Sequence, residues 1–282
     1  EYIQKAEYEK AREEYQKIID QYPTNAQAHK GLGLTYLKLD RYDEALTEFI
    51  IASDLNPDDA ASRYYVGSIY TLKNEYDKAI DAYNKVISLR PGYVEAYKNL
   101  AVIYIKQGKP EEAIKILTSI QEPPEDDALI RYILGSAYLA TKEYENAITQ
   151  LKAAISINST DAQVYNNLGS AYLAVKKYSE SLECFEKAIE LDPESAISYH
   201  NAGSLLQIKG QIAEAINYYK KALDLEPHNY VSQISLGLAC YRARRFDEAI
   251  EIFKHILYYH PDKTSVINNL ALSYAGAGRY DE

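Results

Sequence analysis

Small and apolar residues recur along the whole chain with a period of 34 residues. The stretch YNNLGSAY at 165–172 aligns with HKGLGLTY at 29, RYYVGSIY at 63 and YKNLAVIY at 97, and with further copies at 131, 199, 233 and 267. An alanine or serine column that includes Ala11 and a proline column that includes Pro23 keep the same period, although Glu125 and Ser159 fill two of the proline positions. This unbroken register predicts one supersecondary unit repeated along the chain.

Within each repeat the apolar spacing predicts two helices. The pattern gives a first helix of about fourteen residues, a short turn, a second helix of similar length, and a turn that ends at the proline column. Glycine recurs where the two helices must cross, in six of eight repeats, as at Gly169. We therefore expect this column to admit the backbone of the second helix, since a larger side chain would overpack the crossing by ~1–3 kcal/mol.

The 34-residue pattern resembles the tetratricopeptide repeat family. In residues 162–195 the family signature appears as Tyr165, Leu168, Gly169, Tyr172, Ser181, Phe185, Ala188 and Pro193. The signature tryptophan occurs in no repeat. The resemblance covers the whole chain, and the array is similar to the long uninterrupted arrays of the O-GlcNAc transferase type. It implies an all-α fold, a right-handed α-solenoid or superhelix of antiparallel helix pairs.

The register predicts a single solenoid over residues 1–282. A partial repeat at 1–25 and another at 264–282 flank seven full repeats at 26–59, 60–93, 94–127, 128–161, 162–195, 196–229 and 230–263. Residue 1 falls inside a first helix and AGAGRYDE stops where a second helix should begin, so we expect a fragment of a longer array whose uncovered ends allow end-to-end self-association. The segment QEPPEDDA at 121–128 is expected to shorten its helix and bend that junction, because Pro123 and Pro124 cannot continue a helix.

Composition narrows the range of functions. The net charge of −10 argues against a nucleic-acid binder, and no apolar run approaches the ~20 residues that a membrane-spanning helix needs. Cys184 and Cys240 lie far apart without ligand-like spacing, so we expect neither a disulfide framework nor a metal site. The histidines fall at different repeat positions and no phosphate-binding glycine loop follows a strand, so we expect no catalytic residue and no cofactor. The chain begins EYIQKAEYEK without a signal peptide, and a cytoplasmic location is expected.

The resemblance implies that the first helix of each repeat lines a concave surface that binds partners. The position just before the Leu-Gly pair lies on that surface and reads Gly31, Tyr65, Asn99, Ile133, Asn167, Asn201, Ser235 and Asn269. In arrays of the O-GlcNAc transferase type, asparagines at this position hold the backbone of an extended peptide, a task that suits an amide because it both donates and accepts. The alternative is that these asparagines are consensus residues with a local role in the helix or none.

Charge gives a second indication. The eight predicted first helices, from 26–39 to 264–277, carry nine Lys or Arg and one acid, Glu95, so their net charge is +8 against −18 in the rest of the chain. This distribution favours a groove for an acidic segment. The alternative is that packed helices simply lack charged residues. The predicted groove residues are Lys30, Lys38, Tyr64, Tyr65, Lys98, Asn99, Lys106, Tyr132, Asn167, Asn201, Arg242 and Asn269.

These observations predict a non-catalytic protein–protein interaction scaffold that binds an extended, acidic peptide segment in its groove. The alternative is the substrate-recognition arm of a larger enzyme, such as a glycosyltransferase, whose catalytic domain lies outside these residues. The expected partners are other proteins or peptides, with no nucleic acid and no membrane insertion. A longer gene product would separate the two possibilities.

Overall fold

The computed structural model describes residues 2–121, 124 and 126–281. Within these residues the backbone forms sixteen α-helices and no strand. The helices are α1 (Tyr2–Gln21), α2 (Ala26–Lys38), α3 (Tyr42–Leu55), α4 (Ala60–Leu72), α5 (Tyr76–Leu89), α6 (Val94–Lys106), α7 (Pro110–Thr118), α8 (Ala128–Ala140), α9 (Tyr144–Ile157), α10 (Ala162–Ala174), α11 (Tyr178–Leu191), α12 (Ala196–Ile208), α13 (Ile212–Leu225), α14 (Tyr230–Arg242), α15 (Phe246–Tyr259) and α16 (Thr264–Gly276).

The even-numbered helices are the first helices of the repeats, and the odd-numbered helices from α3 onward are the second helices. The chain divides into two compact units, unit 1 (residues 1–137) and unit 2 (residues 138–282). In unit 1 each helix from α1 to α7 packs against the next, and in unit 2 each helix from α9 to α16 does the same. The predicted all-α fold of repeated helix pairs is therefore confirmed. The single array and its repeat boundaries stay predictions.

Local chemistry sets where the first helices begin. The side chains of Asn25, Asp59, Asp161 and Asn229 each accept a hydrogen bond from a backbone N–H two or three residues further on. Asp127 makes the same bond with the N–H of Ile130 at 3.0 Å. These positions recur with the repeat period, and such a cap stabilises a helix by ~1 kcal/mol.

The first helices end in residues with left-handed backbone geometry. This column has φ values between 58° and 80° and consists of Asp40, Asn74, Gly108, Lys142, Lys176, Gly210, Arg244 and Gly278. The following N–H donates to a carbonyl five residues earlier, as from Lys177 to Tyr172 at 2.9 Å. Together these features form the Schellman motif, which satisfies carbonyls that the helix leaves unpaired. Only three of the eight residues are glycine, the residue that adopts this geometry without strain.

The glycine column packs against aromatic rings, whereas we expected it to admit helix backbone. A Cβ placed on Gly169 would lie 2.7 Å from the ring of Phe185, and one on Gly237 would lie 2.7 Å from Phe253. Both rings are fully buried. The expectation of close packing at this column is right, but the group that takes the space is a side chain of the second helix.

Two helices depart from the repeat pattern. We expected residue 1 to lie in a first helix that ends in a turn before the second helix begins. That expectation is wrong, because α1 runs without interruption over 20 residues. Ala6 stands in the column of left-handed residues, and alanine strongly favours a continued helix. Helix α7 has 9 residues against 14 in α5, which is the shortening expected from QEPPEDDA. Pro123 lies outside the described residues, so the bend stays a prediction.

Candidate functional site

The first helices approach one another within each unit. In unit 2, α10 lies against α12, α12 against α14, and α14 against α16, and in unit 1, α4 lies against α6. The second helices α11, α13 and α15 do not come equally close to one another in the part of the chain that the structure describes. Helices on the inner side of a curved stack come closer together than helices on its outer side. The first helices therefore form an inner row in each unit, as the resemblance implies.

Two of the predicted asparagines connect successive first helices. The Nδ2 of Asn201 donates to Oδ1 of Asn166 at 3.0 Å, and the Nδ2 of Asn99 donates to Oη of Tyr64 at 3.1 Å. Asn99 also donates to Oη of Tyr83 at 3.1 Å. The first two bonds join residues 35 positions apart, so they are the same contact made in two different repeats. These amides hold the inner row together, a role that neither interpretation of the sequence included.

The other two asparagines have different surroundings. Asn269 is half-buried, and Ile234, which occupies the repeat position of Asn166, offers it no polar group. No side-chain hydrogen bond forms at Asn269 within the described residues, so its amide is available to a ligand. Asn167 is half-buried and makes an interaction of its own.

Two of the three predicted tyrosines, Tyr64 and Tyr65, belong to an aromatic cluster in unit 1. The ring of Tyr65 stacks on Phe49 with centroids 4.8 Å apart, and the ring of Tyr64 lies 5.2 Å from that of Tyr93. Both side chains are half-buried, as is Tyr132. We expected the faces of these tyrosine rings to contact a ligand, but part of the area of Tyr64 and Tyr65 is used in packing within the fold.

Two of the predicted lysines form ion pairs with helix caps. The Nζ of Lys30 lies 3.0 Å from Asp59, and the Nζ of Lys98 lies 2.9 Å from Asp127. Burial opposes ionisation of Asp59, but hydrogen bonds from Ser62 and Lys30 outweigh it and lower the pKa of Asp59. The pKa of Asp127 is lowered in the same way, against burial, by Lys98 and a backbone N–H. Each pair ties one repeat to the start of the next first helix.

This pairing reduces the positive charge of the inner row. Asp59 and Asp127 stand one residue before the predicted helices 60–73 and 128–141, so they were counted with the rest of the chain. The three remaining predicted cations, Lys38, Lys106 and Arg242, are exposed and share one repeat position in the last turn of α2, α6 and α14. No ion pair involves them among the described residues. Of the five predicted groove cations, the three that make no ion pair among the described residues thus lie in that turn.

Sequence reasoning missed a set of exposed aliphatic side chains on the first helices, namely Leu34, Leu72, Leu129, Ile197, Ile208, Val231, Ile267 and Leu272. Ile197 and Val231 occupy the same repeat position in α12 and α14 and are 56% and 60% exposed. The equivalent residue in α10 is Gln163. An aliphatic residue in a position that is polar in a neighbouring repeat is the signal that could have identified them.

Both cysteines are buried in packing positions. Burial raises the pKa of the Cys184 thiol to about 12, and it also raises that of Cys240. Burial lowers the pKa of His200, whose Nδ1 lies 3.0 Å from the hydroxyl of Ser232. The described residues hold no cluster of His, Cys, Asp or Glu suited to a metal ion. Among them there is also no helix with the length and apolar character needed to cross a membrane.

Repeated helix pairs with an exposed inner row define the class of helical-repeat interaction scaffolds. Profiles described as tetratricopeptide repeat match residues 160–227, residues 71–136 and 206–271, and residues 1–50 and 31–94, and a profile described as TPR repeat matches 135–176. The chain belongs to the tetratricopeptide repeat family. No curated protein sequence matches it.

Solved structures agree with this assignment. The crystal structure of MamA is 34% identical over 57% of this chain and 95% of that chain, with a TM-score of 0.53. YrrB, described as a TPR protein with an unusual peptide-binding site, is 22% identical over 67% of this chain and 98% of its own, with a TM-score of 0.60. The APC/C hetero-tetramer Cut9–Hcn1 is 21% identical over 83% of this chain and 46% of that chain, with a TM-score of 0.65. The last two likenesses, at low identity, show the fold alone.

Proposed function

We propose that the inner row of unit 2 binds an extended peptide segment of another protein and that the chain performs no catalysis itself. The observation that carries this proposal is the alignment of amides and exposed aliphatic side chains on neighbouring first helices. Asn201 keeps its amide oxygen as an acceptor, and Asn269 keeps its whole amide. Ile197 and Val231 stand exposed on the same row. Amides bind the backbone of the segment, and the aliphatic pair contacts its apolar side chains.

The finer proposal is that the bound segment is acidic. Its support in unit 2 is Arg242, which is exposed and makes no ion pair among the described residues. In unit 2 the acidic residues of the segment would therefore lie at the end of the row formed by the last turns of the first helices. Binding should weaken with salt, since the Debye length falls from ~10 Å at 0.1 M to ~3 Å at 1 M.

Asn269→Ala is the sharpest test, because this side chain makes no bond within the described fold. Asn217→Ala is the matched control, since Asn217 is exposed and lies on the second helix α13, outside the inner row. Short peptides selected from a random library on the unmodified protein should lose about fivefold in affinity with Asn269→Ala, the equivalent of one hydrogen bond of ~1 kcal/mol. The same peptides should bind Asn217→Ala normally and should be rich in Asp and Glu.

Equal binding to both variants would refute the role of the asparagine column. A selected pool without acidic residues, but still sensitive to Asn269→Ala, would refute only the acidic segment. Lys98→Glu is unsuitable as a groove variant, because it would place a second carboxylate beside Asp127 and weaken the fold.

A further inference from the structure

A second groove lies on the opposite side of unit 2, between the second helices α13 and α15. Its floor is apolar and consists of Leu223, Leu236 and Ile252. One end has a volume of about 400 Å³ and includes Gln233 and His255. The other end, of about 430 Å³, shares Leu236 and Ile252 with the first, so the two ends form one continuous groove.

The groove is open at the place where the preceding repeat has two aromatic rings. One repeat earlier, Tyr199 and Tyr218 occupy the equivalents of Gln233 and Ile252, and their ring centroids are 6.2 Å apart. An aromatic side chain buries 150–250 Å², roughly, in a protein interior. Gln233 does not replace the missing ring, because its Nε2 turns away to donate to the carbonyl of Pro227 at 2.8 Å. The space that a pair of tyrosines fills in one repeat is therefore open in the next.

The rim of this groove is acidic. Its lining includes three carboxylates, Asp247, Glu248 and Glu251, and one ammonium, Lys220. A hydrogen bond from Arg245 lowers the pKa of Glu248 and keeps it ionised. The side chains of Asp247 and Glu251 are 87% and 76% exposed, and their longer ion pairs with surface cations are weak in water. Both carboxylates can therefore accept an incoming cation.

Exposed aromatic side chains extend the surface beyond the His255 end. Tyr259 lies 5.2 Å from the ring of His255 and 5.0 Å from that of Tyr258. Tyr258 is 81% exposed, and its position is Asp224 in the preceding repeat. An aromatic residue at a position that is acidic one repeat earlier adds contact area suited to a partner.

We propose that this outer groove binds a peptide segment of a partner protein that presents an aromatic side chain next to Lys or Arg. The aromatic ring occupies the space left by the missing tyrosines, above Leu236 and Ile252. The neighbouring cation pairs with Glu251 or Asp247. Charge complementarity separates this ligand from the one proposed for the inner row, which is acidic.

The test fills the groove from either wall. Gln233→Tyr and Ile252→Tyr each restore one ring of the pair found one repeat earlier, so at least one of them should fold like the unmodified protein by circular dichroism and thermal unfolding. Short peptides are selected from a random library on the unmodified protein and then sorted by loss of binding to the folded variant. We expect the sorted peptides to carry an aromatic residue within two positions of Lys or Arg. Their affinity for the variant should be lower than their affinity for the unmodified protein by about tenfold or more.

Further variants identify the forces and the site. Glu251→Lys should lower the affinity of the same selected peptides severalfold, because the new lysine repels their Lys or Arg. Asn269→Ala should leave it unchanged, so that failure of the inner-row proposal and failure of this one are separate results. The proposal would be overturned if no selected peptides lost affinity for Gln233→Tyr or Ile252→Tyr. It would also be overturned if the peptides that lost affinity contained no aromatic residue. Self-association that the same variants abolish would also overturn it, because the occupant would then be a second copy of this chain.

Discussion

Three basic residues of unit 2 adopt a backbone geometry that glycine adopts more easily. Lys142, Lys176 and Arg244 have φ values of 64°, 62° and 60° at the ends of first helices, where Gly210 fills the same column in another repeat. All three side chains are exposed, and Lys176 makes no ion pair among the described residues. Replacement of Lys176 by glycine therefore changes the backbone energetics and little else.

The expected magnitude comes from two opposing effects. A non-glycine residue with left-handed geometry costs roughly 1–2 kcal/mol. Glycine loses more conformational freedom on folding, a penalty of roughly 0.5–1 kcal/mol. Lys176→Gly should therefore raise the free energy of unfolding by about 0.5–1 kcal/mol, and the triple variant with Lys142→Gly and Arg244→Gly by about three times that, because distant sites add.

Thermal unfolding followed by circular dichroism measures the effect. A change of 1 kcal/mol shifts the melting temperature of a chain of this size by ~2–4 °C. Repeat proteins can unfold in parts, so hydrogen exchange at the Lys177 N–H, which closes the motif on Tyr172, provides a local measurement. That amide should exchange more slowly in Lys176→Gly.

Two glycine variants complete the experiment. Gly210→Lys should destabilise by a similar amount, since it introduces the same strain at φ 80°. Gly92→Lys is the matched control, because Gly92 is exposed, lies outside the left-handed region and has no neighbouring atom within 4 Å of an added Cβ. Lower stability of Lys176→Gly, or equal effects of the two glycine-to-lysine changes, would show that the strain argument is wrong.

Two further predictions concern the caps and the last helix. Because the pKa of Asp59 is lowered in the folded state, its contribution is complete above the ordinary Asp pKa of ~3.9 and is lost as the pH falls through the folded value. Urea midpoints measured from pH 5 downward should therefore fall less steeply in Asp59→Asn than in the unmodified protein, and parallel curves would contradict this. The apolar face of α16, a groove of about 260 Å³ that includes Ile267 and Tyr280, should support self-association. Sedimentation should show that Ile267→Lys reduces association whereas Ile208→Lys, an equal change on the inner row, does not.

The amino-acid sequence determined the repeat, the helix pairs and the helix ends. These features depend on local chemistry, since the caps at Asp59 and Asn229 act on N–H groups two or three residues away. The glycine column also followed from the sequence, because its spacing marks a close crossing wherever the second helix lies. The identity of the group opposite Gly169, the ring of Phe185, required the packed structure.

The tertiary structure decided how the candidate residues are used. Lys30 and Lys98 looked available in the sequence, but each meets a carboxylate 29 positions away only when successive repeats stack. Asn99 and Asn201 likewise donate to residues of the preceding repeat. The outer groove beside Gln233 and Ile252 depends on which columns face each other across α13 and α15. Periodicity assigns a residue to a helix face, but the partner of a polar side chain is set by distances between helices, which repeat stacking fixes.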